Sequence, residues 1–179
     1  QMCIRDRWRH YTSINDSSMD NNPAPGNKKG GLTTILEKSL GAVAKGGNSI
    51  LQDVLNYAEP LKNKGFNFMD SPGYDPVSVT GQVASGANVI CFTTGRGSCF
   101  GCKPVPSLKL STNSTMYEKM SEDMDINCGT IAEGKENIED VGQKIFELVV
   151  NTASGNKSKS EINGYGDEEF NPWQVGVVM

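Results

Sequence analysis

A lone cation between two glycines follows the most apolar stretch of the sequence. Residues 89–93 read Val-Ile-Cys-Phe-Thr, a run that predicts a β-strand covered on both faces. Gly95 and Gly97 come shortly after this run and bracket Arg96. A guanidinium held there can present its planar donors to a carboxylate or a phosphate. Ligands of open α/β sheets bind where loops leave the carboxyl ends of strands, so the pattern predicts an anion site. A tight turn with a solvated Arg explains it equally well.

Two carboxylates follow a second predicted strand, at residues 65–69. Asp75 precedes Pro76 and is placed to cap a helix that starts there. Asp70 ends the strand itself, and the sequence gives it no such structural duty. Asp70 is therefore the better candidate for a functional site.

A glycine-rich segment with two lysines, residues 26–31, precedes a predicted helix with apolar residues at i, i+3 and i+4 spacing. A glycine-rich loop that enters a helix N-terminus presents free N–H groups, here those of Gly30 and Gly31, which suit a bound anion. The segment is neither a Walker A motif nor a G-x-G-x-x-G motif, so no nucleotide is indicated. A plain helix entry fits the bare pattern slightly better.

Metal and redox chemistry have weaker signals. Residues 122–129 place three acids near a glycine, but EF-hand spacing is absent, and a solvated acidic turn is the simpler interpretation. Cys99 and Cys102 form a CxxC without a second pair at zinc spacing, which favours two incidental thiols over a redox or zinc site. His10 is the only histidine, so a His-rich metal site within this sequence is excluded.

Composition bounds the class of protein. The 179 residues carry a net charge of −4 without a basic stripe, which argues against nucleic acid as a partner. No apolar run approaches the ~20 residues of a membrane span, so no membrane partner is expected. The five cysteines, an odd number without a secretory leader, fit a reducing compartment, and we expect a cytoplasmic protein.

The first half of the sequence supplies several of the elements that must position these residues. The first helix stops at Gly46, and Thr34 begins a capping-box pattern in it. Residues 48–58 predict a short helix or a loop, and residues 77–85 predict a helix with small side chains that can pack closely on a sheet.

In the second half, residues 107–111 alternate as a strand whose preceding prolines place its start at a sheet edge or outside the ladder. Asn113 is placed to cap a short helix, and Asn137 begins the most strongly amphipathic helix, which Gly155 ends. The tail after Gly164 is apolar enough to dock. These alternating strands and helices predict an α/β fold, Rossmann-like, with a mostly parallel sheet and flanking helices.

Four motifs in order resemble the altronate/galactarate dehydratase family. They are the segment 22–39 (NPAPGNKKGGLTTILEKS), 68–76 (FMDSPGYDP), 93–98 (TTGRGS) and 123–129 (DMDINCG). The resemblance runs from about residue 20 to the end. It implies that residues 26–179 are the C-terminal part of a catalytic domain, preceded by an irregular approach segment at 10–25. Residues 1–9 read as a non-native leader.

The resemblance implies a hydro-lyase that removes water from a six-carbon sugar acid with a divalent metal, typically iron(II). The main expectation is conversion of D-altronate to 2-dehydro-3-deoxy-D-gluconate in hexuronate catabolism. A galactarate dehydratase is the nearest alternative, and a sulfolactate sulfo-lyase is a more distant relative. A non-catalytic Rossmann-like module that binds an anion also stays open. We expect the fragment alone to be inactive, with some metal ligands upstream of it, and leave a homo-oligomer open.

The site residues follow from the same resemblance. Arg96 is expected to hold the substrate carboxylate, and Asp70 is expected to serve in catalysis or as a metal or hydroxyl ligand. The expected contacts with substrate oxygens come from the remaining motif residues, which are Asn27, Gly30, Gly31, Thr94 and Ser98. Asp125 and Asn127 are the expected metal ligands.

Overall fold

A computed structural model describes residues 9–10, 12–16 and 23–174. The chain forms two compact units, one that runs to Tyr74 and resumes at Trp173, and one made of Asp75–Pro172. The predicted leader lies outside the described residues except for Arg9. Residues 9, 10 and 12–14 are helical, so the prediction of an irregular segment over residues 10–25 is wrong for that part.

The first unit contains two helices and two strands. They are α1 (Pro25–Lys29), α2 (Ile35–Ala44), β1 (Leu51–Leu55) and β2 (Phe66–Met69). The strands β1 and β2 pair in parallel, with Leu55 opposite Met69. The predicted helix or loop over residues 48–58 is therefore wrong. The strand β1 pairs with residues of β2 that lie 14 or 15 positions further along the chain, and the local sequence pattern does not indicate that partner.

The helix α2 begins as its sequence predicts. The Thr34 hydroxyl accepts a hydrogen bond from the Glu37 N–H (3.2 Å), and the Glu37 carboxylate accepts one from the Thr33 N–H (2.8 Å). The Thr33 hydroxyl donates to the same carboxylate (2.6 Å), and this bond, followed by the bond from the Thr33 N–H, lowers the pKa of Glu37. The apolar stripe does not reach a core, because Leu36 and Leu40 are more than 70% exposed.

The second unit carries the larger sheet. Its elements are α3 (Asp75–Ser85), β3 (Ile90–Thr94), β4 (Ser107–Ser111), α4 (Ser114–Lys119), β5 (Ile126–Asn127), α5 (Gly129–Ala132), α6 (Ile138–Ala153) and α7 (Lys159–Ile162). The three strands are parallel in the order β3-β4-β5. Parallel strands in two small sheets flanked by helices confirm the predicted α/β, Rossmann-like class.

The sequence predicts that the strand at residues 89–93 is buried on both faces and that the strand at residues 107–111 starts at a sheet edge. The structure shows the reverse. The strand β4 is central and all five of its residues are buried, whereas β3 lies at the edge with Cys91 exposed. The alternation of polar and apolar residues in β4 predicts one solvent-exposed face, but all five residues are buried. Residues of α3, β3 and the β3–β4 loop form the adjoining core, namely Val79, Ile90, Phe100 and Cys102.

The long helix α6 begins and ends where the sequence predicts. The Asn137 side chain accepts a hydrogen bond from the Asp140 N–H (2.7 Å), and Ser154 caps the other end just before Gly155. Only part of its apolar face is covered, since Val141 is buried whereas Ile138 is 66% exposed. None of the helices in the described part of the chain is both long and apolar enough to cross a membrane.

The tail docks, as predicted, for the part that the structure describes. The Asn171 N–H donates to the Thr80 hydroxyl in the second unit (2.8 Å). The Trp173 ring meets the Tyr57 ring edge-on in the first unit, with centroids 5.5 Å apart. Residues 175–179 lie outside the described residues.

Candidate functional site at the carboxyl edge of the parallel sheet

Three polar residues lie side by side where the strands of the second unit end. Thr94 of β3 pairs with Ser111 of β4, and Ser111 pairs with Asn127 of β5. Because all three strands are parallel, the turns that follow them leave the same edge of the sheet. This is the edge at which open α/β sheets bind ligands.

The loop after β3 is fixed by hydrogen bonds to its own main chain. The Thr94 hydroxyl accepts from the Gly97 N–H (3.1 Å), and the Ser98 hydroxyl accepts from the Phe100 N–H (3.0 Å). The Asn113 amide donates to the Gly95 carbonyl (2.8 Å). Gly97 has φ +91°, a left-handed conformation that disfavours any other residue there. The loop therefore has one defined path around Arg96.

Arg96 lies in the loop that follows β3 at this edge. The residue is exposed, and no carboxylate in the described part of the chain forms a salt bridge with it. The hydroxyls of Thr94 and Ser98, which accept main-chain bonds, keep their own protons to donate. A free guanidinium with two hydroxyl donors nearby in sequence suits a polyhydroxylated carboxylate.

The turns after β4 and β5 meet closely at the same edge. The Asn127 amide donates to the Ser114 hydroxyl (2.9 Å) and its oxygen accepts from the Gly129 N–H (2.9 Å). A Cβ on Gly129 would lie 2.3 Å from the Ser114 nitrogen and 2.5 Å from the Asn113 Cα. The local sequence around Asn113 indicates only a helix cap. Its second bond, to the β3 loop, is visible only once the strand order is known.

The two predicted metal ligands have structural partners. One Asp125 carboxylate oxygen accepts from the Lys109 N–H (2.7 Å) and the other accepts from the Lys159 N–H (3.0 Å), which joins β5 to β4 and α7. Both polar ends of the Asn127 amide are also engaged. No three His, Cys, Asp or Glu side chains within the described residues converge on a common point. The donors described here do not fit a divalent metal site, and residues 122–129 contain β5 and the start of α5 where a solvated turn was predicted.

The predicted glycine cradle in the first unit is wrong in its geometry. Gly30 caps the C-terminus of α1, and its N–H donates to the Gly26 carbonyl (3.2 Å). The Gly31 N–H donates to the Lys28 carbonyl (3.0 Å). Both amides are therefore used by the end of one helix and do not face an anion at the start of the next. The intervening residues 31–34 separate α1 from α2.

The other two predicted residues of the first unit have defined positions. Asn27 is half-buried within α1, and its carbonyl accepts from the Leu32 N–H (3.1 Å). Asp70 follows β2 directly and is half-buried, and its N–H donates to the Leu55 carbonyl at the end of β1 (2.9 Å). Asp70 thus lies at the carboxyl edge of the smaller parallel sheet. The substrate and catalytic roles of these residues stay predictions.

A buried lysine is the main feature that the sequence analysis misses. Lys109 in the centre of β4 has 0% of its surface exposed. Its Nζ donates to the Phe100 carbonyl (3.3 Å) and lies 5.4 Å from the centre of the Tyr165 ring. Burial lowers the pKa of Lys109, and the charge of Asp125 opposes this shift. The alternating S-L-K-L-S sequence assigns this lysine to a polar face, so only its burial reveals it.

The CxxC cysteines do not form a paired site. Cys99 and Cys102 are free thiols, the first exposed and the second buried. Cys102 packs in the core beside Phe100, and burial raises its pKa. A raised pKa disfavours the thiolate that redox or zinc chemistry requires.

Comparison with known proteins identifies the family. The sequence model of the family described as "D-galactarate/Altronate dehydratase, C-terminal" matches residues 2–178. The chain belongs to this family. The match includes residues 2–9, whose interpretation as a non-native leader stays a prediction.

Three of the relatives are dehydratases with two named activities. Galactarate dehydratase (L-threo-forming) of Escherichia coli strain K12 is 43% identical over 150 residues, which are 84% of this chain and 29% of that protein. The altronate dehydratases of Bacillus subtilis strain 168 and E. coli strain K12 are 37% and 35% identical over 172 residues. Those 172 residues are 96% of this chain and 34% of each enzyme. The chain thus spans about a third of the length of the curated relatives it matches.

Proposed function

We propose that this chain supplies the C-terminal region of a hydro-lyase that dehydrates a six-carbon sugar acid. The observation that carries the proposal is the carboxyl edge of the β3-β4-β5 sheet, where Arg96, which forms no salt bridge with the described residues, lies on a fixed loop. Membership of the D-galactarate/altronate dehydratase family supplies the reaction class. The same edge in a non-catalytic module would bind a sugar acid without turnover, which is the alternative.

The residues of the edge suit the charged end of such a substrate. In the proposal Arg96 binds the substrate carboxylate through paired N–H donors. The hydroxyls of Thr94 and Ser98 donate to substrate hydroxyls or to the carboxylate. Removal of a proton beside a carboxylate builds negative charge on that group, so a fixed cation there stabilises the transition state more than the ground state.

The remaining chemistry needs a base for the carbon-bound proton and an acid for the departing hydroxide. Asp70 stays the proposed catalytic carboxylate of this chain, on the strength of its position after β2. Requirement for iron(II) also stays a proposal. Asp125 and Asn127 are engaged elsewhere, so we assign no step of the reaction to a metal on these residues.

D-Altronate is the proposed substrate, and its product is 2-dehydro-3-deoxy-D-gluconate. Two altronate dehydratases match 96% of the chain. Galactarate is the second candidate, because the galactarate dehydratase match has the higher identity, 43%, over a shorter stretch. We further propose a cytoplasmic protein, since the free thiols Cys91, Cys99, Cys102 and Cys128 suit a reducing compartment.

The test is an assay of the full-length gene product with D-altronate and with galactarate, each with and without added iron(II). We expect one of the two acids to yield a 2-keto-3-deoxy acid, observed by NMR, with altronate turned over faster. Faster turnover of galactarate would select the second candidate. Binding of either acid without product, in the presence of iron(II), would favour the non-catalytic module.

A further inference from the structure

The buried Lys109 ammonium contacts the β3–β4 loop, four residues after Arg96. Its Nζ donates to the carbonyl oxygen of Phe100 (3.3 Å), which lies within the β3–β4 loop. The side chain is 0% exposed, and lysine is among the residues that are almost never fully buried without a partner. A buried ammonium is destabilising unless polar or aromatic groups around it compensate the lost hydration.

The contact lies two residues from Ser98. The Phe100 N–H donates to the Ser98 hydroxyl (3.0 Å), so Lys109 and Ser98 bind the two main-chain groups of one residue. The next residue is held as well, because the Gly101 N–H donates to the Glu169 carboxylate (2.7 Å). Phe100 itself is buried in the core cluster. The loop is thus anchored at Phe100–Gly101 by one buried cation and one carboxylate.

The tail of the second unit closes over the same anchor. The Tyr165 ring lies against the Lys109 ammonium, with its centre 5.4 Å from Nζ. The Gly166 carbonyl accepts from the Lys103 N–H (3.3 Å). A Cβ on Gly166 would lie 2.8 Å from the Lys103 nitrogen, so loop and tail are in direct contact. The cation–π contact supplies part of the compensation that the buried charge needs.

We propose that Lys109 is a positioning residue for substrate binding. Its ammonium holds the β3–β4 loop at the Phe100 carbonyl and thereby positions the side chains of Ser98 and Arg96 for the substrate. The inference rests on the proposed function, in which Arg96 and Ser98 bind the sugar acid. Lys109 does not touch substrate in this scheme. It acts through the Phe100 carbonyl, and its removal loosens the loop without removing any substrate-binding group.

The test uses the full-length gene product with two substitutions that each remove one anchor. Lys109→Met keeps the length of the buried side chain and removes the ammonium. Glu169→Ala removes the carboxylate that holds Gly101 and tests whether loosening the same loop by a second route raises KM. Both variants are measured for KM and kcat with the acid that the wild type turns over, and for amide hydrogen exchange at residues 97–102.

Lys159→Met is the matched control. Lys159 also donates to main-chain carbonyls, those of Ser121 and Met124 (2.5 Å each), and it also lies over a tyrosine ring. Its contacts are on the β4–β5 connection and not on the Arg96 loop. A lysine that matters only for folding would reduce the amount of active enzyme in either position and leave KM unchanged.

We expect Lys109→Met to raise KM about tenfold with kcat changed less than about threefold, and to speed exchange of the Phe100 and Gly101 amides about tenfold. Glu169→Ala should raise KM and speed exchange at Gly101, whereas Lys159→Met should leave both readouts for the loop unchanged. Unchanged KM or unchanged exchange in the folded anchor variants overturns the proposal for Lys109. Unchanged kcat/KM in Arg96→Ala refutes the proposed function instead, while the exchange data still report whether Lys109 holds the loop.

Discussion

At the scale of residues, Arg96 stands out because its loop is held by hydrogen bonds while no carboxylate among the described residues pairs with its guanidinium. Gly97 and Gly95 on either side of it are bound by the Thr94 hydroxyl and the Asn113 amide. A cation on a preorganised loop loses less conformational entropy on binding an anion than one on a disordered segment. The arrangement therefore favours binding of a carboxylate at this position over a purely solvated side chain.

Glu59 in the first unit provides a residue-scale test that needs no substrate. Its carboxylate accepts from the Asn56 N–H (3.0 Å) and from the Asn56 amide (2.9 Å), and it pairs with Lys62 (3.0 Å). These contacts, led by the main-chain bond, lower its pKa from 4.5 to about 2. Because the folded-state pKa lies below the ordinary value, the stabilisation is present at neutral pH and is lost as the pH falls from about 4.5 to about 2.

The measurement is an NMR titration of the Glu59 carboxyl carbon, assigned by its absence in Glu59→Gln. Lys62→Ala should raise the pKa only in part, because the main-chain bond from Asn56 remains. Titration of Glu59 near 4.5 in the wild type would show that these contacts do not form in solution.

The sequence alone predicts some of these residues and misses others for physical reasons. Thr94, Arg96 and Ser98 follow an apolar run and lie among glycines, so their place after a strand is a local property. The role of Lys109 depends on contacts with Phe100 and Tyr165, which are brought to it by the loop and the tail. Local alternation cannot register such contacts.

At the scale of elements, the sequence predicts local helix caps better than it predicts strand pairing. The caps at Thr34, Asn113 and Asn137 are local hydrogen bonds, and all three form as their sequences predict. The strand β1 and the central place of β4 depend on pairing between distant segments. The strand predicted at residues 89–93 lies at the edge of the sheet, because β4 pairs with both β3 and β5 and occupies the centre.

The junction of the β4–α4 and β5–α5 turns predicts a large effect for a small substitution. A methyl group on Gly129 would meet the main chain of Ser114 and Asn113 at 2.3 Å and 2.5 Å, and main chain cannot rotate away. We expect Gly129→Ala to lower the free energy of unfolding by about 1–3 kcal/mol or more. Urea unfolding of the gene product, followed by circular dichroism, measures it.

Gly142→Ala is the control for that prediction. Gly142 lies within α6 with nothing within 4 Å of an added Cβ, so the substitution should stabilise by about 0.5–1 kcal/mol through helix propensity. Equal stability of Gly129→Ala and wild type would mean that the two turns do not meet as the structure shows.

At the scale of the whole molecule, family membership supports a reaction class, whereas the structure bears on where in this region a substrate could bind. The family match covers residues 2–178 and supports the reaction class that we propose for the complete protein. The structure identifies which part of that region is suited to an anion, the carboxyl edge of the β3-β4-β5 sheet. It also removes Asp125 and Asn127 from the simplest metal site, because their donors are engaged within the fold.

The central claim is that Arg96 binds the substrate carboxylate, and kcat/KM of Arg96→Ala in the full-length gene product tests it most directly. Lys103→Ala is the matched control, since Lys103 is a cation on the same loop that forms an exposed salt bridge with Asp167 (2.9 Å). Lost bonds to a charged group are worth about 1.5–3 kcal/mol, so kcat/KM should fall about 10- to 100-fold in Arg96→Ala. The control should stay within about twofold of wild type. An undiminished kcat/KM in Arg96→Ala would contradict the account.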